Sequence, residues 1–499
     1  MSDTPDQGGG PASVDLVIRN AYVITMDDDA RIIEAGAVAV DRGRIVAVDA
    51  DSVVAAGYTG RRQIDAGGAP LHPGFIECHM HASFQLTRGG MADQLVEADA
   101  FRLFESDFFN IINDDEEYLA VVLSAMEMIR NGTTCFLEAG TVMEPSAAAR
   151  ASEHVGIRAV IGDAFIWDQP QGLSQGDTGC SICDAAAKAR PVLKRAPRDF
   201  DEAMARMGGE LFRNKDPDAL VTGHVVILGL GTASERLMLE AKACADAAGV
   251  VLNLHQSYSP ADTEADRRQY GGVDPLVHLG RIGFLAPNIV FGHANHLTDA
   301  ECEVILETGP SIAWAPAASM MWGRGSSTHG RHAELWRRGA NIALGSDSPN
   351  WSNDFDIWRQ ANLAVMAARD VQEDRTYLVA EDGLYMATRG GAKACGMDDQ
   401  LGSIEVGKRA DIVIHTLDRP EMIPTTNMIR NLFYASRSKS VHTVIVDGKV
   451  VLDAGRFTTF DETEALATIN EASHALFRRA GKVIEPNRIE RPLRSVHHH

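Results

Sequence analysis

Residues 74–81 read Gly-Phe-Ile-Glu-Cys-His-Met-His. An apolar, strand-compatible run ends on two histidines spaced i, i+2. Residues so spaced in a strand share one face, which points the imidazoles of His79 and His81 the same way. Imidazole is a good ligand for zinc-like metals, at about 2.0–2.1 Å. Taken alone the pair is weak evidence, because histidines with satisfied hydrogen bonds are common in protein cores.

Working outward, similar β-branched runs recur at TTCFLEAG (133–140), RAVIGDAF (158–165), GHVVILGLGT (223–232), VVLNLHQS (250–257), NIVFGHAN (288–295), SIAWAP (311–316) and NIALGSD (341–347). Helical stretches separate most of them. In SERLMLEAKACADAAG, Ser234 is an N-cap, the apolar spacing is near 3.6 and Gly249 is the stop. Eight strands alternating with helices predict an α/β chain built as a (β/α)8 TIM-type barrel. Short strands with tight turns fill 17–72 and return near the other end, where VHTVIVDGKVVLDAG carries an Asp447-Gly448 hairpin signal. The expected organisation is a disordered leader (1–16), a small β-sandwich made from 17–72 plus 400–455, a barrel over 73–399, and a C-terminal helix and tail (456–499).

Composition narrows the function. The 499-residue chain has 47 Lys plus Arg against 69 Asp plus Glu, a formal net charge of −22. That excludes a nucleic-acid or anionic-membrane partner, both of which need positive surface. No apolar run approaches the ~18 residues of a spanning helix. The start, MSDTPDQGGGPASVD, lacks the order of a signal peptide. Seven cysteines are too few, and odd in number, for a disulfide framework. The expectation is a soluble cytoplasmic protein. Cys180 and Cys183 read as inert thiols, with half a zinc site or a redox pair as the alternatives.

Other ligand types close the later strands. His255 ends VVLNL, His293 ends NIVFG with His296 three residues on, and Asp347 ends NIALGS. Barrel enzymes collect their catalytic groups at the C-terminal ends of strands. Three histidines and a carboxylate converging there make a mononuclear metal site with room for water.

As a set, GFIECHMH, LHQS, FGHANH, GSDSPN and the trailing GSIEVGKRADIVI (402–414) resemble the amidohydrolase superfamily, over about residues 17–455. The likeness is to the subgroup of guanine and cytosine deaminases, triazine hydrolases such as atrazine chlorohydrolase, and phenylurea and thiocarbamate hydrolases. The resemblance implies His79, His81, His255 and Asp347 as ligands of one divalent metal per subunit, Zn2+ first, with Fe2+ or Co2+ as alternatives. His293 would hydrogen-bond the substrate or a developing oxyanion. Binuclear relatives bridge their metals with a modified Lys on the fourth strand, or use an equivalent carboxylate; neither GHVVILGLGT nor RAVIGDAF contains a Lys, which favours one metal. A homo-oligomer, dimer or larger, is implied as well.

Metal-activated water, proton transfer through Asp347 and charge stabilisation by His293 complete the expected mechanism. One departure bears on substrate. Deaminases of the subgroup carry Glu three residues after the fifth-strand His, where it protonates a ring nitrogen; here the run is His255-Gln256-Ser257-Tyr258. Attack on a urea, carbamate, thiocarbamate or amide carbonyl puts charge on oxygen and needs no such acid. The expected activity is therefore C–N or C–S cleavage of a small, flat, largely neutral molecule of that kind. The alternative is deamination or dechlorination of a purine, pyrimidine or triazine ring; the outside alternative is a non-catalytic scaffold. Expected pocket residues are Gln256, Tyr258, His296, Trp322, Trp351 and Arg88, with Met320, Met321 and the phenylalanines of 82–114 as apolar wall.

Overall fold

The computed structural model describes residues 10–90, 107–169 and 193–481. Both ends of the chain build a single nine-stranded sheet. Strands β1 (Ala12–Ile24), β2 (Ile32–Asp41), β3 (Arg44–Ala50), β4 (Tyr58–Asp65) and β5 (Pro70–Pro73) come from the start. The late chain supplies β15 (Ile412–His415), β16 (Val441–Val446), β17 (Lys449–Asp453) and β18 (Arg456–Phe457). The order is β18-β17-β16-β15-β5-β1-β2-β3, with β4 also on β1. The expected Asp447-Gly448 hairpin and a second one between β2 and β3 turn through two consecutive left-handed residues: Asp447 (φ 52°) with Gly448 (φ 75°), and Arg42 (φ 48°) with Gly43 (φ 76°). That backbone matches the twist of the strands it joins.

Period-2 alternation gives the sheet two apolar faces. Leu16, Ile18, Val38, Val40, Ile412 and Ile445 pack on one. Val17, Ala37 and Ala39 pack on the other, against Val54 of the helix Asp51–Gly57. Two boundaries differ from expectation. Strand β1 begins at Ala12, so residues 12–16 belong to the sheet and not to a leader, because SVDLVI already alternates. The sheet also runs past 455, through β18. The layers expected of a sandwich are hydrogen-bonded into one sheet that branches at β1. Residues 1–9 lie outside the described residues, as do Cys180 and Cys183.

Between these ends lie β6 (Phe75–Met80), β7 (Thr133–Glu138), β8 (Arg158–Ile161), β9 (Val221–Gly223), β10 (Val225–Gly229), β11 (Leu252–Gln256), β12 (Ile289–His293), β13 (Ser311–Trp314) and β14 (Asn341–Leu344). They form two parallel sheets, β6 to β9 and β10 to β14. Only His224 separates β9 from β10. A parallel bridge between Met80 and Asp347 joins β6 to the chain just past β14, reinforced by Asp347 N donating to His79 O at 2.7 Å. All eight expected strand segments are present. Buried on both faces, they read as nearly continuous apolar runs.

One face of the parallel strands, including Ile76, Cys78, Cys135, Leu137, Val290, Ala313 and Ala343, packs around Ala392, Ala394 and Cys395 at the end of the helix Arg389–Ala394. The other faces the crossover helices. The helix Glu235–Ala248 is bounded as its sequence predicts: Ser234 accepts from Leu237 N, and Gly249 is left-handed at φ 65°. Buried Arg158 on β8 reaches across to the sheet, donating to both carboxylate oxygens of Asp411 at 3.2 Å and to Asp447 at 3.3 Å. The helix Glu462–Arg479 seats Ile469, Leu476 and Phe477 in the cluster beneath the helix Asp114–Arg130, and Ser473 Oγ donates to Leu86 O at 2.6 Å.

Candidate metal centre

Strand ends bring His79, His81, His255, His293 and Asp347 together in a buried cluster. Two overlapping groups have ligand atoms within 4.8 Å of one another: His79, His255 and His293, and His79, His81 and Asp347. His79 is central, its ring 5.2 Å from that of His81, 4.7 Å from His255 and 4.6 Å from His293. Glycines clear its space: a Cβ on Gly292 would fall 2.5 Å from His79 Cε1, and one on Gly345 would fall 2.6 Å from its Cβ.

Hydrogen bonds fix the tautomers. His255 Nδ1 meets the carbonyl of Leu228, which can only accept, so Nδ1 carries the proton and Nε2 presents a lone pair. His81 Nδ1 lies 3.0 Å from Thr141 Oγ1, whose own proton goes to Glu138 Oε1 at 2.8 Å. His81 Nε2 is therefore also a lone pair. These two lone pairs face each other at 3.2 Å, and Asp347 Oδ1 sits 3.5 Å from His81 Nε2. Uncompensated, that contact is repulsive. Ligands about 2.0–2.1 Å from a tetrahedral cation stand roughly 3.3 Å apart, so the donor set fits a divalent metal. Both ring nitrogens of His79 and Nδ1 of His293 have no hydrogen-bond partner among the described residues, which agrees.

Burial sets the protonation states. It lowers His79, His81 and His293 well below the usual histidine range and His255 to about 4, leaving neutral imidazoles fit to be ligands. Burial also pushes the Asp347 carboxyl up to about 8, opposed by the N–H of Ser348, which donates to Oδ1 at 2.7 Å. A nearby cation would reverse that shift. His293 and Asp347 are both left-handed, at φ 72° and 67°.

Glu77 and Glu138 escaped the sequence reading. Glu77, fully buried, accepts from His79 N at 3.1 Å and from Ser346 N at 2.9 Å, clamping β6 to the segment carrying Asp347. Glu138 accepts from Gly140 N and Thr141 N while orienting Thr141 toward His81. His332 lies 2.6 Å through Nε2 from the carbonyl of His293. For Glu77 a signal existed in the sequence: it stands two and four residues before His79 and His81, the spacing of one face in a regular strand.

The expected pocket residues divide. Tyr258, Trp322 and Trp351 join one cluster with Ala315 and Ala318. The Tyr258 ring lies 4.6 Å from that of His293, and the two tryptophans stack at 4.3 Å. Arg324 extends over Tyr258 at 4.8 Å as a half-buried cation. Asn295 Nδ2 holds the Tyr258 carbonyl at 3.0 Å. Phe84, Phe109, Phe165 and Trp167 form an aromatic wall beginning 6.0 Å from the His81 ring; Phe101 and Phe104 lie outside the described residues. Gln256 is buried but donates to Ser257 Oγ, and half-buried His296 sits near His329. Arg88 is not brought to the cluster; Glu127 on the helix Asp114–Arg130 holds it at 2.6 Å, because the turn Ala82–Thr87 carries it outward. Met320 and Met321 are 36% and 45% exposed at a helix end and do not wall a closed pocket.

Residues 71–451 match the model of the amidohydrolase family. A 5-methylthioadenosine/S-adenosylhomocysteine deaminase of Syntrophobacter fumaroxidans is 29% identical over 460 residues, covering 92% of this chain and 98% of its own. A 5'-deoxyadenosine deaminase of Methanosarcina mazei is 28% identical over 471 residues, covering 93% and 99%. Among solved structures, a zinc-bound adenosine deaminase from Xanthomonas campestris superimposes with a TM-score of 0.83 at 28% identity, over 94% of this chain and 100% of that one. No described helix is long and apolar enough to cross a membrane.

Proposed function

The chain belongs to the amidohydrolase family, and from that premise we propose that it is a metal-dependent aminohydrolase releasing ammonia from the amino-bearing ring of an adenosine-type nucleoside. The observation that carries this reading is the full-length similarity to relatives named as deaminases of such nucleosides. It moves the weight from the urea and carbamate class, suggested by Tyr258, to the ring-deamination alternative. In this reading the parallel strands close as a (β/α)8 barrel with the nine-stranded sheet as a second domain, and a homo-oligomer of two or more copies works in the cytoplasm.

His79, His81, His255 and Asp347 would hold one divalent metal, Zn2+ first. Such an ion supplies a water acidified toward a pKa of roughly 7. The chain's own groups do the rest. Asp347 Oδ takes the proton from the attacking water and passes it to the leaving amine. His293 Nε2, 3.9 Å from Asp347 Oδ2, stabilises charge on the attacked group. Tyr258, its ring 4.6 Å from that of His293 and packed with Trp322 and Trp351, would help exclude bulk water from the reacting face.

Tyr258 still favours a second reading, carbonyl-directed cleavage of a urea, carbamate or amide, because it supplies no carboxylic acid for a ring nitrogen. The test is a product screen of metal-loaded enzyme on adenosine, 5'-deoxyadenosine, 5'-methylthioadenosine, a phenylurea and a thiocarbamate, with His81→Ala as control. Ammonia from a nucleoside, absent in the control, is the expected result. Aniline or thiol release with inert nucleosides would overturn it in favour of the second reading. Under the deaminase reading, Tyr258→Glu raises ring deamination at least tenfold.

A further inference from the structure

A cation stands against the side chain that occupies the place of the missing acid. Arg324 follows the helix Pro316–Met321, and its guanidinium carbon lies 4.8 Å from the centre of the Tyr258 ring. That ring is in turn 4.6 Å from the ring of His293. Burial weakens the hold of Arg324 on its proton and the Asp347 carboxylate opposes this, while the charge of Arg324 helps hold the Asp347 carboxyl down against burial. The positive charge therefore reaches the acid that handles the proton of the attacking water.

The local chain is built to deliver it. Gly323 and Gly325, at φ 63° and 73°, place a left-handed residue on each side of Arg324, a backbone that glycine adopts without strain. Arg324 N donates to Ser319 O at 2.8 Å, Ser319 Oγ to Asn295 Oδ1 at 3.3 Å, and Asn295 Nδ2 to Tyr258 O at 3.0 Å. Ser319 and Asn295 are wholly buried. These bonds fix the arginine loop and Tyr258 to each other before any substrate arrives. A donor set in advance costs no reorganisation at the moment of reaction.

The chemistry of the group selects its role. A guanidinium has five N–H donors and no acceptor, and it keeps its protons in proteins, so it cannot serve as a general acid. It can hold a strong hydrogen bond to an atom that is gaining an electron pair. We propose that Arg324 is a catalytic residue that hydrogen-bonds the ring nitrogen beside the amino-bearing carbon, doing by charge what the absent acid does by proton transfer. This role rests on the aminohydrolase reading. The oxygen of the water bonds the amino-bearing carbon, and its proton goes to Asp347. The π pair of the C=N bond moves onto the ring nitrogen, where Arg324 stabilises it. Asp347 then protonates the amino group, that C–N bond breaks, and ammonia leaves with its electron pair. The pair on the ring nitrogen re-forms the C=N bond, and the hydroxyl proton shifts to the ring nitrogen to give the lactam. The substrate class narrows to rings with an unprotonated nitrogen at that position, because Arg324 has nothing with which to accept from an N–H.

The test is steady-state kinetics of the metal-loaded full-length enzyme on adenosine, 5'-deoxyadenosine and 5'-methylthioadenosine, with melting curves and metal content confirming that each variant is folded and loaded. Arg324→Gln should lower kcat ~10²–10³-fold, the loss seen when one donor to a developing charge is removed. KM should stay within about threefold, because the bond strengthens only as the charge develops. Arg324→Lys, which keeps the charge without the planar fork, should fall between. In Arg324→Ala, millimolar guanidinium should restore kcat by about tenfold or more, and neutral urea should not. Unchanged kcat in Arg324→Gln, a loss confined to KM, or an alanine variant indifferent to guanidinium would overturn this role while leaving the deaminase reading intact. A wild type that deaminates none of the three nucleosides would remove the reading and the role together.

Discussion

Replacing Glu77 tests how the metal centre is held. Its carboxylate accepts two backbone N–H groups, one from His79 and one from Ser346, the neighbour of Asp347. Both donors are fully buried, so Glu77→Ala leaves two amides without an acceptor. At ~1–3 kcal/mol for each stranded group the loss is ~2–6 kcal/mol, before any cost of the space vacated. Glu77→Gln keeps a carbonyl oxygen in the same place and should cost less than ~1 kcal/mol. Urea unfolding of the metal-free proteins separates this effect from metal binding. Chelator competition then measures the second consequence: His79 and Asp347 lose their common anchor, and metal affinity falls ~10–100-fold in Glu77→Ala, the range seen when groups orienting metal ligands are removed. An alanine variant within 1 kcal/mol of the glutamine variant, with equal metal affinity, would refute the clamp.

Chelation of the wild type should lower its melting temperature by removing a ligand bound only to the folded state, and His81→Ala should abolish the difference; identical melts with and without chelator would contradict the assigned ligand set. Arg158→Met strands the Asp411 carboxylate between β8 and the terminal sheet and should cost ~3–5 kcal/mol in denaturant unfolding. His72 and His415 face each other at 2.9 Å, and burial lowers His72 to about 4 and His415 well below its usual range. Between about 4 and the unfolded value of ~6.5 the unfolded chain binds the extra proton, so His72's contribution is fully present above ~pH 6.5 and is lost as pH falls. Unfolding titrations of His72→Asn should show a slope shallower by up to ~1.4 kcal/mol per pH unit over that window and unchanged above it.

The cluster was legible because its ligands are chemically conspicuous and sit where strands end: His79 and His81 by spacing, His255, His293 and Asp347 by closing apolar runs. The strands themselves were legible because burial on both faces leaves a continuous apolar signature. The supports were not. Glu138 and Thr141 act through contacts that begin only once β7 turns, and Arg158 finds Asp411 across 253 positions of chain. Tyr258 illustrates a different limit. One side chain at one position was read as a statement about substrate, whereas relatives similar over the full length are named as nucleoside deaminases.

The left-handed backbone at His293 and Asp347 also bears on how the protein can be engineered. Residues with a Cβ pay a conformational penalty of ~1–2 kcal/mol in that region, which glycine escapes. The strand ends that aim these side chains are thus locally under tension, and relief lies one substitution away. In the metal-free protein, where these side chains gain nothing from a bound ion, a selection for heat resistance alone will gather glycine or asparagine at 293 and 347, yielding hardy proteins that have discarded their chemistry. Stabilisation campaigns on this scaffold should freeze those two positions and seek their gains in the terminal sheet.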